Sequence, residues 1–222
     1  MEVGEDKNVV FNTSGEFNAG SNNGNLQIEL SQSNTRSNTV MDNAIVSFNE
    51  GSQLGKFYFG EQNANIYIPQ NGKEYAIAYS EGQGEMPVNF KAKENGTYTL
   101  SFSGKEVGFN YLHLIDNLTG ADVDLLQTPS YSFEARTDDY ASRFKLVFST
   151  GNAESNDNFA FISNGEIIVN GEGTLQVLDM TGRVLSSRNA TNRIGTDGLA
   201  AGVYVLRLIN GENVKTQKVV IQ

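Results

Sequence analysis

Hydrophobic and polar residues alternate over many short stretches of the chain, the pattern of β-strands that bury one face in a core. Clusters of glycine, asparagine and proline separate these stretches and supply turns. No long stretch repeats with the 3.6-residue period of an amphipathic helix, and we do not adopt the short helical turn suggested at residues 122–126. We therefore predict an all-β protein. Before the C-terminal quarter, strands are predicted at residues 9–11, 26–30, 44–48, 56–59, 65–68, 74–79, 88–93, 98–102, 111–115, 131–135 and 143–148.

Turn residues indicate how these strands connect. Asn95-Gly96 lies between the strands at 88–93 and 98–102, and Asn-Gly is a strong hairpin signal, so we predict a hairpin there. Strands at this spacing indicate a β-sandwich or jelly roll. The predicted connections are a polar loop at residues 31–38, turns at 69–72, 116–120 and 137–140, and a flexible connection at 81–86.

The charge distribution divides the chain. The net charge is −10, of which residues 1–159 carry −11 and residues 160–222 carry +1. Between these parts, residues 151–158 contain no apolar residue larger than alanine, which is typical of an exposed linker. We therefore predict a β-sandwich module at 1–150, a linker at 151–159 and a second domain at 160–222, with the larger, N-terminal domain jelly-roll-like.

The composition argues against several functions. An acidic chain lacks the basic footprint that binds nucleic acid or anionic membranes. The absence of cysteine excludes disulfides, thiolate chemistry and cysteine-ligated zinc. No apolar run approaches membrane-spanning length. Three of the first six residues are acidic and none is basic, whereas a signal peptide begins with a basic segment, so we expect the chain to be the C-terminal part of a longer exported precursor.

Three blocks near the C-terminus carry a family resemblance. Residues 175–184 read Leu-x-Val-x-Asp-x-x-Gly-Arg-Val, residues 199–208 read Leu-x-x-Gly-Val-Tyr-x-Leu-x-Leu, and residues 215–221 read Lys-x-x-Lys-Val-Val-Ile. In this order they resemble the type A sorting domain of the type IX secretion system, over residues 171–222. The chemistry of the blocks is that of strands and turns, with Asn210-Gly211 predicting a hairpin between 203–209 and 214–221.

The resemblance implies a fold, partners and a location. It implies a small Ig-like β-sandwich that the outer-membrane type IX export machinery recognises. A sortase-like enzyme often removes this domain from the exported protein and anchors that protein, so the expected location is the cell surface or the medium. The residues that match the sorting-signal motif are Asp179, Gly182, Gly202, Tyr204, Lys215 and Lys218.

Within the last hairpin we make a finer prediction. We expect Val203, Val205 and Val219 to share one register, and Tyr204 to pack on the opposite face with its hydroxyl near solvent. Gly202 is expected where the backbone leaves no room for a Cβ atom.

A second resemblance covers residues 42–148. The segments Asp-Asn-Ala-Ile-Val-Ser-Phe at 42–48, Leu-Ile-Asp-Asn-Leu-Thr-Gly at 114–120 and Arg-Phe-Lys-Leu-Val-Phe at 143–148 are similar to a β-sandwich module that precedes type IX sorting domains. That module has no catalytic role attached to it. The resemblance therefore implies a stalk or terminal module of a surface protein.

Few residues offer catalytic chemistry. His113 is the single histidine, and it lies on a predicted strand where Leu112 and Leu114 project to the other face. A Ser-His-Asp hydrolase would need it as the base, but no Gly-x-Ser-x-Gly element accompanies it. We interpret it as a strand histidine and predict that the protein is not an enzyme and has no catalytic residues.

Two binding functions remain as alternatives to a non-catalytic surface module. Clustered carboxylates would suit a calcium ion, although turn carboxylates in solvent are the interpretation we favour; the candidates are Asp116, Asp122, Asp124, Asp138 and Asp139. Tyrosine rings would suit glycans, although packing residues are the favoured interpretation; the candidates are Tyr58, Tyr67, Tyr75 and Tyr79. The alternative function is thus a carbohydrate- or calcium-binding adhesive module.

Overall fold

The computed structural model describes residues 24–34, 37–58, 63–150, 159–189 and 193–222. Within these ranges all regular elements are β-strands, so the all-β prediction is confirmed. A search of the same ranges for a helix long and apolar enough to cross a membrane finds none.

Eleven of the described strands form one sheet. They are β1 (Asn25–Asn34), β2 (Ser37–Ser47), β3 (Leu54–Gly55), β4 (Asn65–Gln70), β5 (Lys73–Tyr79), β6 (Gln83–Lys91), β7 (Gly96–Lys105), β8 (Phe109–Asp116), β9 (Ala121–Asp124), β10 (Ser130–Ala135) and β11 (Phe144–Thr150). The order is β10-β7-β1-β2-β5-β4-β6-β11-β8-β9, with β3 paired to β5 off this path. Strands β2 and β5 pair in parallel, where one half of the sheet joins the other.

This sheet folds over on itself. The ring of Phe90 on β6 lies 5.1 Å from the rings of both Tyr98 on β7 and Phe133 on β10, centroid to centroid. In the sheet, β1, β2, β5 and β4 lie between β7 and β6, so this contact requires the two halves to face each other. Leu26 and Leu112, from opposite halves, are fully buried in the same core. The arrangement is that of a sandwich around a single apolar core.

A buried ion pair joins the two ends of the folded sheet. Arg143 Nε and Nη2 donate to the two carboxylate oxygens of Asp116 at 3.0 and 2.8 Å, and both side chains are 1 % exposed. Arg143 Nη1 donates to the carbonyl of Glu134 on β10 at 2.8 Å. Tyr131, also on β10, donates its hydroxyl to Asp116 at 3.0 Å. The guanidinium lies 4.5 Å from the centroid of the Phe133 ring. The Arg143 side chain thus links β10, at one end of the sheet, to Asp116 on β8, near the other end.

The pairing holds Asp116 in its charged form. Burial acts to raise the pKa of Asp116, but hydrogen bonds from Arg143 and from the Leu118 amide outweigh burial and keep the pKa below the ordinary aspartate value. A pKa that is depressed on folding adds stability at pH values above the ordinary aspartate pKa. That stability is lost as the pH falls through the lower, folded-state value.

The remaining seven strands form two smaller sheets. They are β12 (Ala160–Ser163), β13 (Glu166–Val169), β14 (Thr174–Leu178), β15 (Val184–Asn189), β16 (Arg193–Gly195), β17 (Gly202–Asn210) and β18 (Asn213–Ile221). The order is β12-β13-β16 in the three-stranded sheet and β15-β14-β17-β18 in the four-stranded sheet. Buried residues of both sheets, such as Ile167 on β13 and Leu206 on β17, form a second core that is separate from the upstream one.

The first and last strands of this C-terminal sandwich are tied together by one side chain. Gln217 on β18 accepts a hydrogen bond from the Ala160 amide at 2.8 Å and donates to the Ala160 carbonyl at 2.6 Å. The carboxamide therefore satisfies both backbone groups of Ala160 in β12, much as a neighbouring strand would.

The hairpin predicted at Asn95-Gly96 is wrong. Strand β6 pairs with β4 and β11, whereas β7 pairs with β1 and β10, so the chain crosses between the halves of the sandwich here. Tyr98 donates its hydroxyl to the Glu94 carbonyl at 2.8 Å, and the Asn95 side chain accepts from the Thr137 amide at 3.0 Å. The bend lies at residues 93–95, and Gly96 is already the first residue of β7. Which strands become neighbours is decided by core contacts such as that of Phe90 with Phe133.

Two predicted connections are also strands. Of the residues predicted to form this loop, 31–34 belong to β1 and 37–38 belong to β2, and the two strands pair with each other there. Most of residues 81–86 belongs to β6, and the exposed Pro87 lies within that strand rather than at its start.

Other boundaries differ by a few residues. Residues 56–58 are not in a strand, and the short β3 precedes them. Pro69 and Gln70 belong to β4, and the turn is made by Asn71-Gly72 with φ of 51° and 74°. Two residues with positive φ form the turn that matches the twist of a hairpin. Residues 121–124 form β9, and the turn at 116–120 is confirmed.

Parts of the predicted organisation stay predictions. The strand at 9–11 and residues 151–158 of the linker lie outside the described residues. The boundaries 1–150, 151–159 and 160–222, like the jelly-roll-like and Ig-like descriptions, are predictions that these observations leave untested.

The buried ion pair makes a testable difference to stability. Replacing Arg143 with methionine leaves the Asp116 carboxylate buried without its cation, which should lower the free energy of unfolding by about 3–5 kcal/mol. The matched control is Arg136→Met, because Arg136 forms an exposed and longer ion pair: it is 73 % exposed, and its Nε lies 3.7 Å from Asp138. This substitution should change the free energy of unfolding by about 0.5 kcal/mol or less. Urea unfolding at neutral pH measures both. Equal losses would show that Arg143 contributes no more than a surface charge.

Candidate functional site

The C-terminal hairpin has the predicted form. Strands β17 and β18 pair antiparallel along their whole length, from Gly202 opposite Ile221 to Asn210 opposite Asn213. The turn is made by Gly211-Glu212, and Gly211 has a φ of 59°. The prediction of a hairpin through Asn210-Gly211 is therefore confirmed, with the turn centred one residue later.

The side chains of the hairpin face differently from the finer prediction. Val219 lies opposite Tyr204, and both point into the core, whereas Val203 and Val205 lie on the outer face. The predicted shared register of these three valines is therefore wrong. Tyr204 lies on the face opposite Val203 and Val205, as predicted; it is 8 % exposed, and its hydroxyl donates to the carbonyl of Ala200 at 2.7 Å. A buried hydroxyl needs such a partner.

Asp179 and Gly182 organise the turn between β14 and β15. The Asp179 carboxylate accepts hydrogen bonds from the amides of Thr181 and Arg183 at 2.9 and 3.0 Å and from the Thr181 hydroxyl at 2.5 Å. The Gly182 amide donates to the Asp179 carbonyl at 3.0 Å, and Gly182 has a φ of 85°, which favours glycine. The Thr181 hydroxyl, followed by these amides, lowers the pKa of Asp179 to about 2. In this fold, both motif residues shape a turn.

Gly202 does not have the predicted steric role. A Cβ atom at Gly202 would meet its nearest neighbours, in Tyr204 and Ala200, at 3.8 and 4.0 Å, which is ordinary contact. A position that does require glycine is Gly173, directly before β14. Its φ is 129°, and a Cβ there would lie 2.2 Å from the carbonyl oxygen of Ile209.

The two lysines of the motif lie on opposite sides of β18. Lys218 pairs with Val205 and lies on the outer face of the four-stranded sheet, next to the exposed Val203 and Val220. Lys215 pairs with Leu208 on the core side, where it lines the edge of a surface cleft. The six motif residues therefore do not form one cluster. Of these residues, Lys218 belongs to a continuous exposed surface, which is the outer face of β17 and β18 and includes Val203 and Val220.

His113 has the environment predicted from its strand. Leu112 and Leu114 are fully buried on the core side, and His113 lies on the outer face of β8. Its Nδ1 is 2.7 Å from the Asp122 carboxylate, and its ring stacks on Tyr111 at a centroid distance of 4.2 Å.

The candidate calcium ligands contact cations or backbone amides. Asp116 and Asp139 both pair with Arg143, and Asp138 lies 3.7 Å from Arg136. Asp122 pairs with His113 and Arg193, and Asp124 accepts from the Leu126 amide. In the part of the chain that the structure describes, no group of three or more histidine or acidic side chains has the arrangement to hold a metal ion.

Two of the four candidate tyrosines meet in a cleft. Tyr58 and Tyr67 line a cavity of about 550 Å³ together with Glu74, Lys91 and Lys93. The Tyr58 hydroxyl donates to Glu74 at 2.5 Å, and burial followed by this hydrogen bond raises its pKa. Tyr75 instead packs against the core, and Tyr79 is not among the residues that line the cleft.

The Asp179 turn should persist in acid. Because the pKa is depressed in the folded state, the hydrogen bonds to Asp179 should be complete above the ordinary pKa of 3.8 and lost only as the pH falls through about 2. The amide proton shift of Thr181, followed by NMR between pH 6 and pH 1.5, reports this ionisation. A midpoint at the ordinary value would show that the turn does not form as described.

The two glycines should differ in their tolerance of a methyl group. Gly173→Ala forces either a φ change or a clash with Ile209, and should lower the free energy of unfolding by about 1–3 kcal/mol. Gly202→Ala, the control, should change it by about 0.5 kcal/mol or less. Urea unfolding followed by circular dichroism compares them, and the opposite order would restore the steric role to Gly202.

Comparison with known proteins supports the sorting resemblance. Residues 155–222 match the family described as "Secretion system C-terminal sorting domain". The match begins before the three motif blocks and so includes β12 and β13, whose strands sequence reasoning missed although Asn164-Gly165 marks the turn between them. No curated protein and no solved structure matches the chain. Residues 155–222 are therefore a type IX secretion C-terminal sorting domain, and the protein is exported to the cell surface or the medium.

Proposed function

We propose that this chain is the non-catalytic C-terminal part of an exported surface protein. In this proposal the upstream sandwich is a stalk or terminal module, and the sorting domain brings the protein to the type IX export machinery of the outer membrane. A sortase-like enzyme then processes the chain. The observation that carries the proposal is the sorting-domain match over a completely paired C-terminal hairpin.

The outer face of β17 and β18 is our candidate for the surface that the machinery contacts. Its exposed apolar side chains include Val220, which is 54 % exposed, and Val203, which is 36 % exposed, with Lys218 beside them. Exposed apolar residues flanked by a charge are typical of a protein-binding surface.

We propose that His113 has a packing function in the outer face of β8, where its ring stacks on Tyr111 and its Nδ1 lies 2.7 Å from the Asp122 carboxylate. A carboxylate beside Nδ1 would equally orient a catalytic base. The proposal therefore rests on the sequence, which carries no Gly-x-Ser-x-Gly element to supply a nucleophile.

We also propose that the sorting domain is Ig-like. Two facing β-sheets share a core, and Tyr204 near the start of β17 bonds to the backbone carbonyl four residues upstream. A tyrosine in this position is a recurrent feature of Greek-key sandwiches.

Export of a reporter tests the proposal. A reporter joined to the full chain behind a periplasmic signal should reach the surface or the medium of a host that has the type IX machinery. The same fusion ending at residue 150 should stay in the periplasm, because it lacks the sorting domain. Cell fractionation measures the location, and equal export of both fusions would contradict the proposal.

The same assay tests the proposed surface. Lys218→Glu should reduce export because it reverses the charge on the outer face of β18, whereas Lys215→Glu, on the other side of the strand, should reduce it less. Each variant should keep the wild-type melting temperature, which separates recognition from folding. A larger loss for Lys215→Glu would move the contact surface to the opposite side.

A second candidate function is glycan binding by the upstream sandwich. The meeting of Tyr58 and Tyr67 in one cleft with Glu74, Lys91 and Lys93 favours it, because aromatic faces and polar groups together suit sugars. On a glycan array, Tyr67→Ala should weaken any binding by about 0.5–1.5 kcal/mol, whereas Tyr79→Ala should not. Calorimetric titration of the same protein with calcium tests the calcium alternative. Absence of binding in both experiments would leave the stalk function.

A further inference from the structure

The sorting domain packs against the upstream sandwich through a third apolar cluster. Tyr111 on β8 and Val147 on β11 belong to the upstream sheet, and Ile168 on β13 belongs to the sorting domain; all three are less than 5 % exposed. Ile115 and Phe161 pack around them. The upstream residues lie on the outer face of their sheet, because their neighbours Leu112, Leu146 and Phe148 fill the inner core.

The local environment of Tyr111 reflects this contact. Burial raises the pKa of its hydroxyl to about 12, although the nearby Arg193 of the sorting domain acts in the opposite direction. An outer-face tyrosine is desolvated in this way because the three-stranded sheet β12-β13-β16 covers it.

Polar contacts surround the apolar cluster on both sides. The Ser163 hydroxyl at the end of β12 donates to Glu85 on β6 at 2.5 Å. Lys145 on β11 donates to the Asn164 side chain at 2.7 Å. Asn110 on β8 donates to the side chain of Asn170. An apolar centre with a polar rim is the anatomy of a specific protein interface.

Arg193 provides the ionic contact across the interface. It bridges Asp122 of the upstream sandwich, 2.6 Å away, and Glu166 of its own domain. Burial opposes the ionisation of Asp122, but hydrogen bonds from His113 and Arg193 keep the Asp122 pKa below its ordinary value. The upstream sandwich is acidic and the sorting domain slightly basic, so the pairing also agrees with the overall charges of the two parts.

We propose that this interface keeps the sorting domain bound to the upstream sandwich after the segment between them has been cut. The proposal rests on the processing step in the proposed function. It gives the upstream sandwich a further function as the binding partner of its own sorting domain, with proteolysis and release as two separate events. Binding leaves the outer face of β17 and β18 uncovered, since the opposite sheet of the sorting domain makes the contact.

The interface must then hold without the connecting chain. A covalent connection raises the effective concentration of two surfaces, and cutting it removes that contribution. The apolar cluster and the bridging arginine are the interactions that remain, so removing either from the upstream side should free the sorting domain.

A nicked protein tests the proposal. Residues 151–158 are replaced by the recognition sequence of a specific protease, the purified full chain is cut, and the products are separated by size-exclusion chromatography at micromolar concentration. Both fragments of the otherwise native chain should elute together. Elution of two separate fragments would overturn the proposal.

Variants on the upstream side identify the contact. Asp122→Lys places a cation against Arg193, and Val147→Lys places a charge in the apolar cluster, on the face where Lys145 already lies. Neither changes the sorting domain, and both should abolish co-elution after the cut. The control is Arg207→Glu, on the outer face of β17, which should retain it. Co-elution of both lysine variants would show that this interface does not hold the fragments together.

The elution assay and the export assay can fail separately, so the interface and the export function are tested independently. Before cutting, circular dichroism melting of each variant verifies that both domains are folded. In the export assay, the uncut Asp122→Lys chain should still leave the cell, because its sorting domain is intact. A chain that co-elutes when nicked but fails to be exported would contradict the export function and leave the interface standing.

Discussion

The upstream sandwich depends on the burial of one guanidinium. A sheet of eleven strands that folds over has two ends, and an open edge strand exposes unpaired amides and carbonyls. Arg143 crosses that gap, because its forked group reaches the Asp116 carboxylate and the backbone of β10 at the same time. Each nitrogen of the guanidinium has a hydrogen-bond partner, and the group lies against the faces of Phe133 and Phe144, which offsets part of the cost of burying the charges. The contacts of Arg143 with Asp116 and with the backbone of β10 thus help to fix how the two halves of the sheet face each other.

Local sequence patterns predicted the positions of the strands better than they predicted which strands pair with each other. The alternation at residues 26–30 marks a strand because each apolar residue needs a core, and that requirement is local. Nothing local separates Asn95-Gly96, where the chain crosses the sandwich, from Gly211 and its neighbours, where it forms a hairpin. Which strands pair depends on contacts between residues far apart in the chain, such as Phe90 with Phe133.

The candidate site shows the same division. Turn chemistry at Asp179 and Gly182 was predictable, because the groups that it satisfies lie within a few residues. The requirement for glycine at Gly173 was not, since the obstructing atom belongs to Ile209 on another strand. The interface did leave a signal: Leu146-Val147-Phe148 and Tyr111-Leu112 are apolar on successive residues, which means that both faces of these strands are covered.

The carboxamide of Gln217 has a consequence for the timing of folding. Strand β12 is the first of the sorting domain to leave the ribosome, yet the group that satisfies the backbone of Ala160 lies on the last strand. Until β18 has emerged, the opening strand lacks these bonds and the core lacks Val219 and Ile221. A chain that lacks β18 therefore cannot form the closed sandwich, because the backbone groups of Ala160 and one side of the core are left without their partners.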